Sequence, residues 1–198
     1  MHHATLRKLM GLGDAPAPLR DSTLLMIECQ NTYRTGTLEL PGAEPALSHA
    51  ARLLSWARET AVPVVHLLQD GGPGSLYDVR TETGRISKEV APIEGEEVVV
   101  KSLASAFAGT GLDDLIRRGS CRDLILVGFM THLAVSSTAR DAFRLGYRST
   151  VVADATATRD LTGPDGTVIP ARTVHDTSLA ALGDLFSIVV LAPDDIPV

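Results

Sequence analysis

The stretch Asp123–Ala142, DLILVGFMTHLAVSSTARDA, combines a buried strand, a tight turn and a helix within twenty residues. Its first half, Leu124–Phe129, is a short apolar run with one glycine inside it, which is typical of a strand buried on both faces. The following segment, Leu133–Leu145, keeps small and apolar side chains near helical spacing and contains no proline or glycine. Such a strand places its turn at the carboxyl edge of a parallel sheet, where α/β proteins bind ligands. The stretch therefore predicts a functional site at the Met130–Ala134 turn.

Five further apolar runs predict the remaining strands of this sheet. They are Thr23–Glu28, Val62–Leu68, Glu97–Val100, Ser149–Ala153 and Ser187–Leu191. Helical patterns lie between several of these runs, over Glu44–Thr60, Gly111–Arg118 and Pro170–Leu185. Strands that alternate with helices imply right-handed crossovers and helices on both faces of a parallel sheet. We therefore expect an α/β fold, a three-layer α/β/α sandwich around a mostly parallel sheet of about six strands.

The chain is predicted to form one domain preceded by a short arm. Residues 1–22 show no strand pattern and carry two prolines near their end, whereas residues 23–198 hold every predicted strand. The glycine- and proline-rich loop 69–75 and the aperiodic segment 76–95 are expected to form the walls of a pocket. Residues 154–169 are predicted to be a polar loop.

Composition excludes several classes of function. The chain has 198 residues, 44% of them hydrophobic and 21% charged, with a net charge of −6, so no nucleic-acid or anionic-membrane surface is expected. No apolar run approaches the ~18–20 residues of a membrane span, and the first residues lack the apolar core of a signal peptide. The two isolated cysteines, Cys29 and Cys121, indicate a reduced, cytoplasmic protein without a disulfide framework or zinc site.

Two charged residues lie at the ends of other predicted strands, just as the Met130–Ala134 turn lies at the end of Leu124–Phe129. Glu28 ends the first predicted strand, and Lys101 follows the third. Each of them alone would be interpreted as a solvated surface charge. Because the carboxyl ends of parallel strands meet at one edge of the sheet, both are expected to converge on the turn.

Three motifs at these strand ends resemble the isochorismatase-like cysteine hydrolases. The motifs are IECQNTY, VVVKSLASAF and GFMTHLAVSSTARDA, the last followed by GYRSTVVADATAT, and the resemblance runs from about Ser22 to the C-terminus. It implies a six-stranded parallel sheet flanked by helices, and assembly into a homodimer or larger homo-oligomer. It also implies attack on amide or similar C–N bonds of small molecules through an acyl-enzyme, without a cofactor. The motifs are nearer to the amidohydrolase branch than to the nicotinamidases.

By this resemblance, Glu28 falls on the catalytic acid, usually an aspartate, and Lys101 falls on the catalytic lysine. Ala134 falls on the nucleophilic cysteine, and an alanine cannot form a thioester. The resemblance implies an oxyanion hole made by the backbone N–H groups of Met130 and residue 134, and a cis peptide bond between Phe129 and Met130.

Other residues near these motifs are candidate substrate contacts. They are Gln30, Tyr33, Phe107, Thr131 and His132. Loop capping is the alternative for Gln30 and His132, and lid or interface packing is the alternative for Tyr33 and Phe107. His66 and His175 are interpreted as structural, and Cys29 as a core thiol rather than a substitute nucleophile. The loop after the first strand has no histidine, unlike the metal-binding nicotinamidases, so no metal is expected.

Ala134 leaves three hypotheses open. In the first hypothesis, the chain is a C–N hydrolase whose cysteine was replaced by engineering, and it is therefore inactive. Alternatively, it is a thiol-independent enzyme of the isochorismatase type that hydrolyses a vinyl ether with Glu28 as general acid. In the third hypothesis it is a non-catalytic protein that binds a ligand in the same pocket.

Overall fold

Six parallel strands form the central sheet of the computed structural model, which describes residues 4–119 and 121–198. The strands are β1 (Ser22–Ile27), β2 (Val64–Gln69), β3 (Glu97–Lys101), β4 (Asp123–Phe129), β5 (Arg148–Ala157) and, after a short hairpin, β8 (Ile188–Val190). Their order across the sheet is β3-β2-β1-β4-β5-β8, and every neighbouring pair is parallel. The predicted α/β fold with a six-stranded parallel sheet is confirmed.

Five α-helices accompany these strands in the described part of the chain. They are α1 (Leu6–Leu9), α2 (Ala43–Glu59), α3 (Leu112–Arg118), α4 (Ser136–Arg144) and α5 (Ala171–Ala181). Helix α2 packs on β5 and β4 through the apolar face that its periodicity indicated, while α4 and α5 also contact β5. Within residues 4–119 and 121–198, no helix has both the length and the apolar composition that crossing a bilayer requires.

The C-terminal third of the chain departs from two expectations. The predicted polar loop 154–169 is wrong in its first part, because β5 continues to Ala157 with Ala155 and Ala157 buried against the sheet. The rest of that segment forms an antiparallel hairpin of β6 (Leu161–Thr162) and β7 (Val168–Ile169). The predicted helix 170–185 is also shorter, since α5 ends at Ala181 and a π-helical turn, Leu182–Phe186, follows it.

A buried arginine connects the N-terminal arm to the π-helical turn after α5. The Arg7 guanidinium donates hydrogen bonds to the carbonyl oxygens of Leu185 at 3.0 Å and Gly13 at 2.9 Å, and Arg7 is only 4% exposed. The Leu6 N–H also donates to Asp184 Oδ1 at 3.0 Å. The boundary between arm and domain stays a prediction, and the first three residues of the arm lie outside the described part.

A glycine brings β1 and β4 together where both strands end. Gly128 pairs with Ile27, has a φ of +123°, and would place a Cβ atom 1.9 Å from the Ile27 carbonyl oxygen. Only glycine fits this position, because any side chain would overlap the neighbouring backbone. The close approach aligns the residues that follow the two strands, Glu28 and Met130, at one edge of the sheet.

Candidate active site

Glu28 and Lys101 form a buried ion pair at the carboxyl edge of the sheet. Glu28 directly follows β1 and Lys101 ends β3, so β2 lies between them, yet Lys101 Nζ donates a hydrogen bond to Glu28 Oε1. Their side chains are 4% and 0% exposed. Lys101 Nζ also donates to Gln69 Oε1 at 2.9 Å and to the Leu103 carbonyl oxygen at 2.9 Å. The ammonium group is therefore fully bonded, as a buried charge must be.

The second oxygen of the Glu28 carboxylate is held by a tyrosine. The Tyr33 hydroxyl donates to Glu28 Oε2 and lies 3.2 Å from the Tyr77 hydroxyl. Burial raises the pKa of Tyr33 far above its usual value, and the negative charge of Glu28 raises it further. Tyr33 therefore keeps its proton and acts as a hydrogen-bond donor to the carboxylate.

The turn after β4 has an unusual backbone. Met130 adopts a left-handed conformation with a φ of +63°, and Thr131–Val135 then form one π-helical turn that leads into α4. The expected cis peptide bond between Phe129 and Met130 is wrong, since no peptide bond in the described part of the chain is cis. The chain turns through the left-handed conformation of Met130 instead.

Ala134 lies inside this π-helical turn and is 1% exposed. Its methyl group offers neither a nucleophilic atom nor a hydrogen-bonding group. Because β1 and β4 are neighbours that pair as far as Ile27 and Gly128, the turn and Glu28 follow adjacent strand ends. The position that would carry a nucleophile is thus at the same edge of the sheet as the Glu28–Lys101 pair.

Two histidines connect the turn to neighbouring elements: His132 belongs to the turn and contacts the residue after β5, and His175 lies on α5. Thr131 is fully buried, and its Oγ1 lies 3.0 Å from His175 Nδ1, while His132 Nδ1 is bonded to Thr158 Oγ1. Burial lowers the pKa of both histidines, and the Arg159 charge lowers that of His132 further, so both rings are neutral at pH 7. Helical position alone gave no indication that His175 contacts the turn.

The other candidate substrate contacts are placed differently. Both ends of the Gln30 amide are bonded to backbone: Nε2 donates to the carbonyl oxygens of Gln69 at 3.0 Å and Gly84 at 2.6 Å, and Oε1 accepts from the Gln69 N–H at 2.9 Å. Phe107 stacks on Tyr147 with ring centroids 5.6 Å apart. Gln30 therefore joins the end of β2 to the loop at Gly84, and Phe107 packs against the residue that precedes β5.

Cys29 is a neighbour of Glu28 but not a free nucleophile. It is 2% exposed, and burial together with the charge of Glu28 raises the pKa of its thiol to about 12. The thiol is therefore protonated at neutral pH and unreactive.

A cavity of about 420 Å³ opens beyond the turn, between the start of α2, the end of β5 and the start of α5. His49, Asp154, Thr158 and His175 are among its lining residues, whereas Glu28, Lys101 and Ala134 are not. In the described part of the chain, no group of three or more His, Cys, Asp or Glu side chains is arranged to hold a metal ion. The buried ion pair and the turn thus form the candidate site, and the cavity lies beside it.

Comparison with known proteins gives consistent results over nearly the whole chain. Residues 22–193 match the family described as "Isochorismatase domain". The chain is 31% identical over 192 residues to the secreted isochorismatase effector Isc1 of Verticillium dahliae, covering 96% of this chain and 98% of that protein. It is 35% identical over 168 residues to a streptothricin hydrolase of Streptomyces noursei, covering 84% of this chain and 61% of that protein.

A solved structure shows the same fold. The crystal structure of an isochorismatase from Pseudomonas putida KT2440 superposes with a TM-score of 0.92 at 38% identity, covering 96% of this chain and 97% of that one. The two chains therefore share one fold over nearly their whole length.

Proposed function

This chain belongs to the isochorismatase family, and on that premise we propose that its site is built to hydrolyse a C–N bond in a small molecule. The bond would be an amide, a cyclic amide or a carbamoyl linkage. The observation that carries the proposal is the buried Glu28–Lys101 pair beside the Met130–Ala134 turn. The similarity to a streptothricin hydrolase supports this class of substrate.

The chemistry requires a thiol at position 134. Glu28 would accept the thiol proton, and the thiolate would attack the substrate carbonyl carbon to form a C–S bond. The backbone N–H groups of Met130 and residue 134 would stabilise the oxyanion, and Lys101 would hold the carboxylate in place. The C–N bond then breaks as Glu28 returns the proton to the leaving nitrogen. Water finally hydrolyses the thioester, giving one proton to Glu28 that restores the thiol.

Ala134 removes the attacking sulfur and leaves the rest of this arrangement in place. We infer that the chain as written binds its substrate without forming an acyl-enzyme, as an engineered cysteine-to-alanine variant would. The experiment is the Ala134→Cys variant assayed on a panel of small amides, with Ala139→Cys, another buried alanine on the same helical segment, as the matched control. Hydrolysis by the first variant alone supports the proposal. No hydrolysis and no thiol adduct at residue 134 overturn it.

An intact Glu28 at the same sheet edge as Ala134, which offers no nucleophile, favours one second candidate. A vinyl ether is hydrolysed by proton transfer to carbon, which needs an acid but no thiol, and Glu28 is placed to provide it. The Lys101 cation opposes this role because it stabilises the charged carboxylate. Activity of the unmodified chain on isochorismate that is lost in Glu28→Gln would establish it. Tight binding of a metabolite without turnover, unchanged in Ala134→Cys, would instead indicate a binding protein.

Two further expectations are also proposals. A homodimer or larger oligomer would be detected by light scattering during size-exclusion chromatography. A cytoplasmic location rests on cysteine usage alone, and the relative from Verticillium dahliae is described as secreted, so localisation of a tagged chain is the appropriate test.

A further inference from the structure

The Glu28 carboxylate has a second partner, Tyr33, whose hydroxyl the chemistry above does not use. We propose that Tyr33 is a positioning residue of the site. Supported by a contact with Tyr77, its hydroxyl fixes the Glu28 carboxylate. The same hydrogen bond reduces the negative charge that a nucleophile at position 134 experiences. The proposal rests on the proposed function only in requiring a thiol at position 134. Its test measures ionisation of that thiol rather than turnover.

The ring of Tyr33 is locked in place by its surroundings. Tyr33 is 1% exposed, and its ring lies edge-on to Phe129 with centroids 5.6 Å apart, directly before the Met130 turn. A second ring, that of Tyr77, lies 5.9 Å away. Because packing already fixes the ring, forming the hydrogen bond to Glu28 Oε2 costs Tyr33 no further side-chain conformational entropy. Replacing this tyrosine by phenylalanine would remove the hydroxyl and keep the packing.

The Tyr33 hydroxyl proton has two oxygen atoms within reach, that of the Glu28 carboxylate and that of the Tyr77 hydroxyl. Tyr33 has a single hydroxyl proton, and the charged carboxylate is a stronger acceptor than a neutral hydroxyl, so Tyr33 donates to Glu28. The Tyr77 hydroxyl lies 3.2 Å from the Tyr33 hydroxyl. Tyr77 is half-buried on the loop after β2, and this chain therefore connects that loop to the carboxylate.

Few other groups around Glu28 carry charge at neutral pH. Lys101 from β3 pairs with the other carboxylate oxygen. The charge of Arg159 acts to lower the pKa values of Tyr77 and His132. Cys29 and the two tyrosines stay protonated because burial raises the pKa of each, and burial leaves His132 neutral. The Tyr33 hydroxyl is thus the only neutral side-chain donor seen on Glu28 among the described residues. Removing it would leave more uncompensated negative charge beside a thiolate, which disfavours that thiolate.

The experiment follows thiolate formation in the Ala134→Cys protein by ultraviolet absorbance against pH. Each curve is taken as the difference from the same chain with Ala134, so that Cys29, Cys121 and the tyrosines cancel. We expect Tyr33→Phe to move the midpoint for residue 134 to higher pH by about half a unit or more, and Tyr77→Phe to move it less in the same direction.

Tyr147→Phe is the matched control, because the Tyr147 hydroxyl also donates to a carboxylate, Asp113 Oδ1 at 2.6 Å, but outside the site. Its midpoint should equal that of the parent. A shift of the Tyr33→Phe midpoint to lower pH, no shift beyond that of the control, or no thiolate transition in the parent would each overturn the proposal. Alkylation of residue 134 by iodoacetamide, located by mass spectrometry, gives an independent curve.

The two proposals fail in different ways. A shifted midpoint in a protein that hydrolyses no amide would leave Tyr33 as a positioning residue and remove the assigned reaction. Hydrolysis with an unshifted midpoint would retain the reaction and reduce Tyr33 to a packing residue.

Discussion

Glu28 and Met130 have the same left-handed backbone conformation, with φ values of +50° and +63°, directly after two neighbouring parallel strands. This conformation costs a residue other than glycine about 1–2 kcal/mol, and it persists only where the surrounding structure enforces it. Here the enforcement comes from the paired ends of β1 and β4. Both residues turn their chains sharply at the sheet edge, which places the carboxylate and the π-helical turn side by side. Strain of this kind clusters at functional sites, which is consistent with the proposed role of this edge.

The close approach of β1 and β4 predicts that Gly128→Ala prevents folding. The added Cβ would lie 1.9 Å from the Ile27 carbonyl oxygen, and φ at this position is +123°. We expect a loss of at least ~4 kcal/mol, seen as insoluble protein or as lost cooperative unfolding in circular dichroism. Gly146→Ala is the control, since its φ is +85° but no atom lies within 4 Å of the added Cβ. It should cost about 1 kcal/mol, and equal losses in both variants would contradict the steric explanation.

The buried ion pair predicts a coupled effect on stability. Lys101→Met leaves the Glu28 carboxylate buried without a counter-ion, which should lower the free energy of unfolding by about 3–5 kcal/mol in a urea titration. Adding Glu28→Gln to that variant should recover part of the loss, because the uncompensated charge is then removed. As a control, Arg172→Met breaks the pair with Asp176, whose side chains are 85% and 51% exposed, and should cost less than ~1 kcal/mol. A double variant no more stable than Lys101→Met would contradict this.

Periodicity was sufficient to predict the sheet, because each strand contains a short apolar run. It also placed Glu28, Lys101 and the Met130–Ala134 turn at one edge, since parallel strands end together. It could not predict that Lys101 reaches across β2 to Glu28, which depends on the strand order. The prediction of a loop at residues 154–157 is wrong because polar residues in alternation with small alanines also occur in loops.

Contacts between distant segments explain what the sequence could not predict about the site. Tyr77 lies on a loop without periodicity, and only the fold brings its hydroxyl to Tyr33, 44 residues earlier. His175 is likewise 44 residues from Thr131. Phe107 is a candidate substrate contact by sequence, but its stacking on Tyr147 depends on how the loop after β3 runs along α4.

A left-handed residue outside the site predicts a stabilising substitution. Ala61 is exposed, follows α2 and has a φ of +54°, and its N–H donates to the Arg58 carbonyl oxygen at 3.3 Å. Glycine adopts this helix-ending conformation without steric penalty, so Ala61→Gly should raise the free energy of unfolding by about 0.5–1 kcal/mol. Ala51→Gly, inside α2, should lower it by about 1 kcal/mol in the same urea titration. A loss of stability in Ala61→Gly would show that the turn is not strained.

A buried network between α2, β2 and β3 predicts a loss of stability in acid. Arg58 Nε lies 2.7 Å from Glu96 Oε1, and His66 Nε2 lies 2.8 Å from Glu96 Oε2. Burial lowers the pKa of His66, although Glu96 opposes the shift. For Glu96, burial acts to raise the pKa, but the hydrogen bonds from Arg58 and His66 outweigh it and lower the pKa to about 2.

Both shifts have the same consequence for unfolding. In the unfolded chain histidine becomes protonated near pH ~6.5 and glutamate near pH ~4.3, whereas in the folded protein both groups bind a proton only at lower pH. The unfolded state therefore binds more protons than the native state. Stability should therefore be highest above pH ~6.5, fall as His66 would protonate, and fall again from pH ~4.3 towards the folded-state pKa of Glu96, by up to ~1.4 kcal/mol per pH unit for each group.

The measurement is the free energy of unfolding from urea titrations at several pH values. His66→Gln keeps a side-chain donor for Glu96 but cannot titrate, so its stability should fall less than that of the parent between pH 7 and pH 5. The difference between the two proteins isolates His66 from the other histidines, because those are present in both. Between pH 9 and pH 7 the two curves should run parallel, since neither group changes its charge there. An identical slope in both proteins between pH 7 and pH 5 would show that His66 does not contribute to the acid sensitivity of the fold.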